Sequence, residues 1–392
     1  MKRIRILHTA DIHLDSSFST LGVNARAGAE LRAAQRRVFD SILERARDWP
    51  ADMVLIAGDL FDAGEPCDAT VAFVMEALER LAPIPVFIAP GDHDPYSTYS
   101  PYALALWPGN VTIFKPGGWQ RWEHPVHPLV IHGIGCDGVN TSGEWFHELH
   151  VDTDDRVHIA LAHGAERTHQ PPYDDSFAPF DAADIAQDNL SYVALGHFHD
   201  PVDATGDATS VMRYPGTPQG RNFLEQGDRS FLELVIEHNG VGKPTVQATA
   251  ISCADIVFER CVCRISADQG APAILDDLLA RMSGDASHRA VQVQATGTTL
   301  PPAYEVIEAL RAEARPHFGY IEIIDALEPM LNPPPLSTQH TCLSKLNKAM
   351  AERIADASDK DAAAFEAYAR DLVVKACRSL MLPTHDAAEP LS

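Results

Sequence analysis

Short apolar runs recur along the chain up to about residue 240, and most of them stop at a glycine, an aspartate or a histidine. Residues 5–10 form the first run and end at Asp11, with polar residues and glycine beyond, which predicts a buried strand entering a loop. Residues 25–49 instead space Leu31, Val38, Ile42 and Leu43 for one helical face. Alternation then sets in: a run at 53–57 stopped by Gly58, a helical pattern at 71–81, and a run at 84–89 stopped by Pro90 and Gly91. Further runs follow at 111–114, 129–134, 157–162, 192–195, 211–214 and 231–236. This order of strand, helix and strand predicts an α/β fold. Ligands of open α/β sheets bind outside the carboxyl ends of the strands, so the polar residues that end these runs are expected to converge on one crevice.

Past residue 250 the pattern predicts strand 257–265, helix 273–282, strand 291–295, helix 303–314 and strand 320–326, a small α/β domain. Asn332, Pro333, Pro334 and Pro335 read as a linker, and 341–357 and 360–382 as two amphipathic C-terminal helices. The expected domains are therefore 1–250, 251–331 and 332–392.

Composition narrows the function. Against 31 basic residues stand 55 acidic ones, a net charge of −24, which argues against a chain that grips nucleic acid alone by neutralising phosphates. Bound cations or a basic partner would have to supply the attraction. The seven cysteines form no C-x-x-C pair, as suits reduced thiols and a cytoplasmic protein. No signal peptide or membrane span is expected, since no run approaches ~18 apolar residues.

The chemistry is carried by five strand ends. Asp11-Ile12-His13 offers a carboxylate and an imidazole, which extended alternation would point to one side. Gly58-Asp59-Leu60-Phe61-Asp62 presents Asp59 off a strand end, with Asp62 or Glu65 available to cap a helix. In Gly91-Asp92-His93-Asp94, His93 suits a general acid whose partner carboxylate, Asp94, orients the ring. Ala162-His163-Gly164 and Gly196-His197-Phe198-His199 complete the series. Each block alone suits an ordinary polar turn or a core histidine, as His8 and His132 are expected to be; five in succession point to a metal site.

These blocks resemble the calcineurin-like metallophosphoesterases, whose order is D-x-H, G-D, G-N-H-D, H and G-H-x-H. The flanks His8-Thr9-Ala10-Asp11-Ile12-His13-Leu14-Asp15, Gly58 to Asp62, and Tyr214-Pro215-Gly216-Thr217-Pro218-Gln219-Gly220-Arg221 are similar to SbcD-type DNA exonuclease subunits, above all their YhaO-like branch. The resemblance implies a four-layer sandwich of two mixed β-sheets flanked by helices, with a small α/β cap. It further implies two divalent ions, manganese by preference: one held by Asp11, His13, Asp59 and His199, the other by Asp59, Asp92, His163 and His197. His93 would protonate the leaving group, Asp94 would support it, and Arg221 is a candidate for substrate phosphate. DNA is the implied substrate and an SbcC-like or YhaN-like coiled-coil ATPase the implied partner, with a homodimer left open. One residue departs from the pattern: Asp92 stands where the family has asparagine, adding a negative charge beside metal and phosphate, which leaves a catalytically silent scaffold subunit as one alternative; a same-fold phosphoesterase for small esters or cyclic nucleotides, which the acidic surface favours, is the other.

Overall fold

The computed structural model describes residues 2–329 apart from 22–24, 63–65, 140–141, 170–176, 188, 241, 266–268, 283 and 300–302, and beyond them only 349, 352 and 353. Apart from those three, which are helical, the predicted C-terminal helices 341–357 and 360–382 lie outside the described residues.

The chain opens with β1 (Lys2–Thr9), crosses through α1 (Ala25–Asp48) to β2 (Met53–Ile56), and through α2 (Asp68–Arg80) to β3 (Val86–Ile88), with α3 (Pro101–Leu104) leading to β4 (Val111–Ile113). These four strands run parallel. A second sheet is laid down by β5 (Gln120–Glu123), β6 (Leu129–Gly133), β7 (Val157–His163), β8 (Leu190–Gly196), β9 (Val202–Asp203) and β10 (Val211–Tyr214), with α4 (Ala182–Ile185) between β7 and β8 in the chain. β11 (Ser230–His238) and β12 (Thr245–Ser252) then return to the first sheet, antiparallel, giving the order β12-β11-β1-β2-β3-β4 against β5-β6-β7-β8-β10-β9.

Alternation along the strands builds the layers. Leu7, Val54 and Ile56 turn outward onto Val38, Phe39 and Ile42 of α1 and Val74 and Leu78 of α2. Ile6, Met53 and Leu55, one residue out of phase, turn inward and share a core with Ile131, Ile159, Leu161 and Tyr192 of the second sheet. The far face of that sheet, with Val193, Leu195 and Tyr214, is covered by Phe146, Phe180 and Ile185. Strands buried on both faces read as unbroken apolar runs, which is why the sequence exposed them so plainly.

Two compact units divide the chain: one holds residues 1–261, 279–293 and 314–322, the other 262–278, 294–313 and the described residues from 323 on. Within 257–329 the elements are β13 (Val257–Arg264), α5 (Ala271–Arg281), β14 (Arg289–Thr299), α6 (Ala303–Ala314) and β15 (Tyr320–Pro329), with β14 between the other two strands. No helix among the described residues is long and apolar enough to cross a membrane.

Candidate metal centre

Every expected ligand sits at the carboxyl end of a parallel strand. Asp11 and His13 follow β1, Asp59 follows β2, Asp92 follows β3, His163 ends β7, and His197 and His199 follow β8. The local backbone differs from the extended alternation expected at Asp11-Ile12-His13: β1 ends at Thr9, and Asp11 and His13 are left-handed, at φ 52° and 50°. Asp59 is too, at φ 51°. Such conformations cost about 1–3 kcal/mol each and persist where neighbouring structure enforces them. Here the two loops lie alongside each other, with Asp11 N donating to Gly58 O (3.1 Å), His13 N to Asp59 O (2.9 Å) and Leu14 N to Leu60 O (2.9 Å). Gly58 sits at φ 87°, and a Cβ there would also meet His163 Nδ1 at 2.2 Å.

The side chains meet in two sets. Asp11, His13 and His199 offer ligand atoms within 4.8 Å of one another, and so do Asp92, His163 and His197; Asp11, Asp59 and His163 group in the same way and connect the two. Polar partners at the far nitrogens set the tautomers. His163 Nδ1 donates to Ala57 O at 2.9 Å and His199 Nδ1 to Glu225 Oε1 at 2.8 Å, while Asp62 Oδ1 lies 2.9 Å from His13 Nδ1. All three therefore aim Nε2 lone pairs inward. His13 Nε2 meets His199 Nε2 at 3.2 Å, and His163 Nε2 meets Asp92 Oδ1 at 2.8 Å and Asp59 Oδ2 at 3.6 Å. Acceptors facing acceptors need positive charge between them, and mixed carboxylate and imidazole donors fit divalent transition metals. The donor set fits a pair of such ions.

The electrostatics agree. Burial lowers the pKa of His13, helped by Arg221 and His199, keeping it a neutral donor. Burial pushes Asp11 up to about 6, while His197 N donates to both its oxygens. Burial also opposes charge on His163, yet Asp59, Asp92 and Asp11 raise it well above the ordinary value: the carboxylates draw a cation to this place.

His93 and Asp94 part company. His93 is 45% exposed at the rim, its backbone N donating to Asp59 Oδ1 at 3.0 Å. Asp94, expected to support it, is buried and points elsewhere: its carboxylate accepts from Gly91 N, Asp59 N, Leu60 N, Phe61 N and Tyr102 Oη. Burial beside Asp59 pushes its pKa up to about 7, but five donors leave its oxygens no proton to give. The expected pairing is thus corrected, because adjacent residues of a tight turn point apart. Beside the His93 Nδ1 stands Asp62, with its carbonyl at 3.3 Å and Oδ1 at 3.8 Å, while Asp59 and Asp92 also offer oxygens within 4.8 Å of a ring nitrogen. Asp62 is no helix cap either: α2 begins at Asp68 after Cys67. Arg221 does reach the site, but Asp62 Oδ1 holds its Nη1 at 2.7 Å and Glu225 Oε1 lies 3.5 Å from Nη2. It joins the two carboxylates that orient His13 and His199. Glu225 has no sequence signal of its own.

This geometry is matched by a comparison of the sequence with known families, in which residues 4–201 fit the calcineurin-like phosphoesterase. The chain belongs to that family. As a calcineurin-like phosphoesterase it is a metal-dependent hydrolase. It is similar to the metallophosphoesterase YhaO of Bacillus subtilis (strain 168), 24% identical over 311 residues, 75% of this chain and 72% of the relative. Among solved structures, TT1561 of Thermus thermophilus aligns with TM-score 0.35 and 15% identity, covering 59% of this chain and 94% of that one. A hypothetical protein from the same organism aligns with TM-score 0.36 and 16% identity, covering 64% and 99%. The expected core histidines are such: His8 and His132 are buried, and burial lowers them to about 3 and about 4.

Proposed function

We propose that this calcineurin-like phosphoesterase is a manganese-dependent phosphodiesterase acting on DNA, with a coiled-coil ATPase of the SbcC or YhaN kind as partner. The observation that carries the reading is the pair of ligand sets joined through Asp59 beside a solvent-facing His93. Asp11, His13, Asp59 and His199 would hold one ion, and Asp59, Asp92, His163 and His197 the other. Bound there, two divalent ions supply Lewis acidity and a nucleophile drawn from water. The chain's own part is to orient and to give a proton: Asp62 holds the Nδ1 side of His93, so that Nε2 can pass its proton to the leaving oxygen.

DNA is supported by the SbcD-like flanks around Asp11, Asp59 and Gly216 to Arg221. With a net charge of −24, a basic ATPase partner would supply the grip on the phosphate backbone. The same charge favours a second reading, a phosphoesterase for small esters or cyclic nucleotides. Linear duplex DNA, single-stranded DNA and a chromogenic small diester, each with manganese, separate the two, with His93→Ala as control. Cleavage of the small ester alone, with the ATPase present, would remove the nuclease assignment.

A further inference from the structure

The two ligand sets are alike in charge only because of one residue. On the two-ion reading the first set has Asp11 and the second Asp92, with Asp59 shared; in the structure Asp92 groups with the imidazoles of His163 and His197, and Asp11 with those of His13 and His199. Asp92 Oδ1 lies 2.8 Å from His163 Nε2 and 3.4 Å from His197 Nδ1, and among the described residues no second carboxylate belongs to that set alone. The preceding Gly91 packs against Asp59, whose Oδ1 a Cβ there would meet at 2.2 Å, and Asp92 and Asp59 offer ligand atoms within 4.8 Å of each other. An asparagine would occupy the same volume and still offer an oxygen, but the second set would then own no charge.

We infer that the charge of Asp92 makes the second ion a stoichiometric constituent of this protein, held as firmly as the first, where a neutral side chain would leave it exchangeable. The inference rests on the two-ion reading above and concerns how firmly the second set binds. A unit charge within ~4 Å, even at an effective dielectric near 20, changes affinity on the order of a hundredfold or more. Asp92→Asn should therefore weaken one ion by that factor and leave the other unchanged.

The test is metal retention. Full-length protein is loaded with Mn2+, passed through a chelator-treated desalting column, and analysed for manganese per chain; titration calorimetry follows on the metal-free protein. Wild type should retain two ions and titrate as one tight class. Asp92→Asn should retain one and titrate as two classes at least ~100-fold apart. Asp92→Glu keeps the charge, shifts the oxygen, and should retain the second ion better than Asp92→Asn. Two ions held equally well by Asp92→Asn would overturn the inference, as would Asp92→Glu losing the second ion as completely as the amide, which would assign the effect to shape. Wild type retaining one ion would also overturn it while leaving a metal site intact; wild type binding none would remove the two-ion reading itself.

Discussion

His13 and His199 bring their Nε2 atoms to 3.2 Å while both turn Nδ1 outward, toward Asp62 and Glu225. One imidazole comes from the loop after β1 and the other from the loop after β8, so a cation between them would tie the two sheets together. Manganese should therefore stabilise the fold by about 2.7 kcal/mol at a hundredfold excess over Kd. For a chain of this size that is roughly 3–6 °C in melting temperature. Scanning fluorimetry with manganese and with chelator measures it, and His13→Ala should lose much of the difference. Equal melting under both conditions would sink the idea.

His93→Gln should lower turnover roughly 100- to 10,000-fold while metal content stays at the wild-type value, because a proton donor is removed and no ligand. Elemental analysis beside steady-state rates checks both halves. A parallel loss of metal would reassign His93 to the ligand set.

Asp62 and Asp94 can be told apart. Asp62→Asn should disturb both His13 and His93, reducing metal affinity and moving the alkaline limb of the pH profile, where a general acid loses its proton. Asp94→Asn should leave the profile in place and instead lower stability by roughly 1–3 kcal/mol, since an amide cannot accept from all five donors. Urea midpoints and pH profiles for the two variants are expected to diverge in this sense.

Arg221→Gln should weaken metal binding and leave KM for a small diester within about twofold, because the guanidinium is already engaged by Asp62 and Glu225. A rise in KM of about tenfold with full metal retention would restore Arg221 to the substrate phosphate.

Saturating manganese isolates a different property of Asp92. Once both ions are forced into place, its carboxylate still repels a phosphate and dampens the ions' Lewis acidity. Asp92→Asn is expected to raise turnover on a phosphodiester about two- to tenfold under those conditions. A strong loss would mark aspartate as the adapted residue.

Buried His8, whose Nδ1 lies 2.9 Å from Tyr192 Oη, carries an acid liability. The unfolded chain takes up its proton near pH 6.5, and the folded chain only near pH 3. Stability is thus complete above about 6.5 and falls as pH drops through this window, by about 2 kcal/mol at pH 5. His8→Gln should flatten that part of the curve of urea midpoint against pH.

The sequence showed the strands best where both faces are buried. β7 and β8 are buried throughout, whereas β5 at Gln120–Glu123 alternates half-buried with exposed and β12 is mostly exposed, so neither left an apolar run to find. The candidate ligands were legible because strand ends carry them. Their second partners were not: Asp62 looked like a cap, Asp94 looked like the partner of its neighbour, and Glu225 follows no motif. The left-handed turns at Asp11, His13 and Asp59 were equally hidden, since local preference for that conformation is weak in either residue type and only the pairing of two distant loops enforces it.

His93 projects from the rim while Asp11, His13 and His163 are fully enclosed. On the proposed reading, the groups that would hold ions and the group that would donate the proton are therefore separable by a single surface change. A descendant of this chain that lost that one imidazole would keep its architecture and its ions, and would be free to serve as a sensor or an assembly platform.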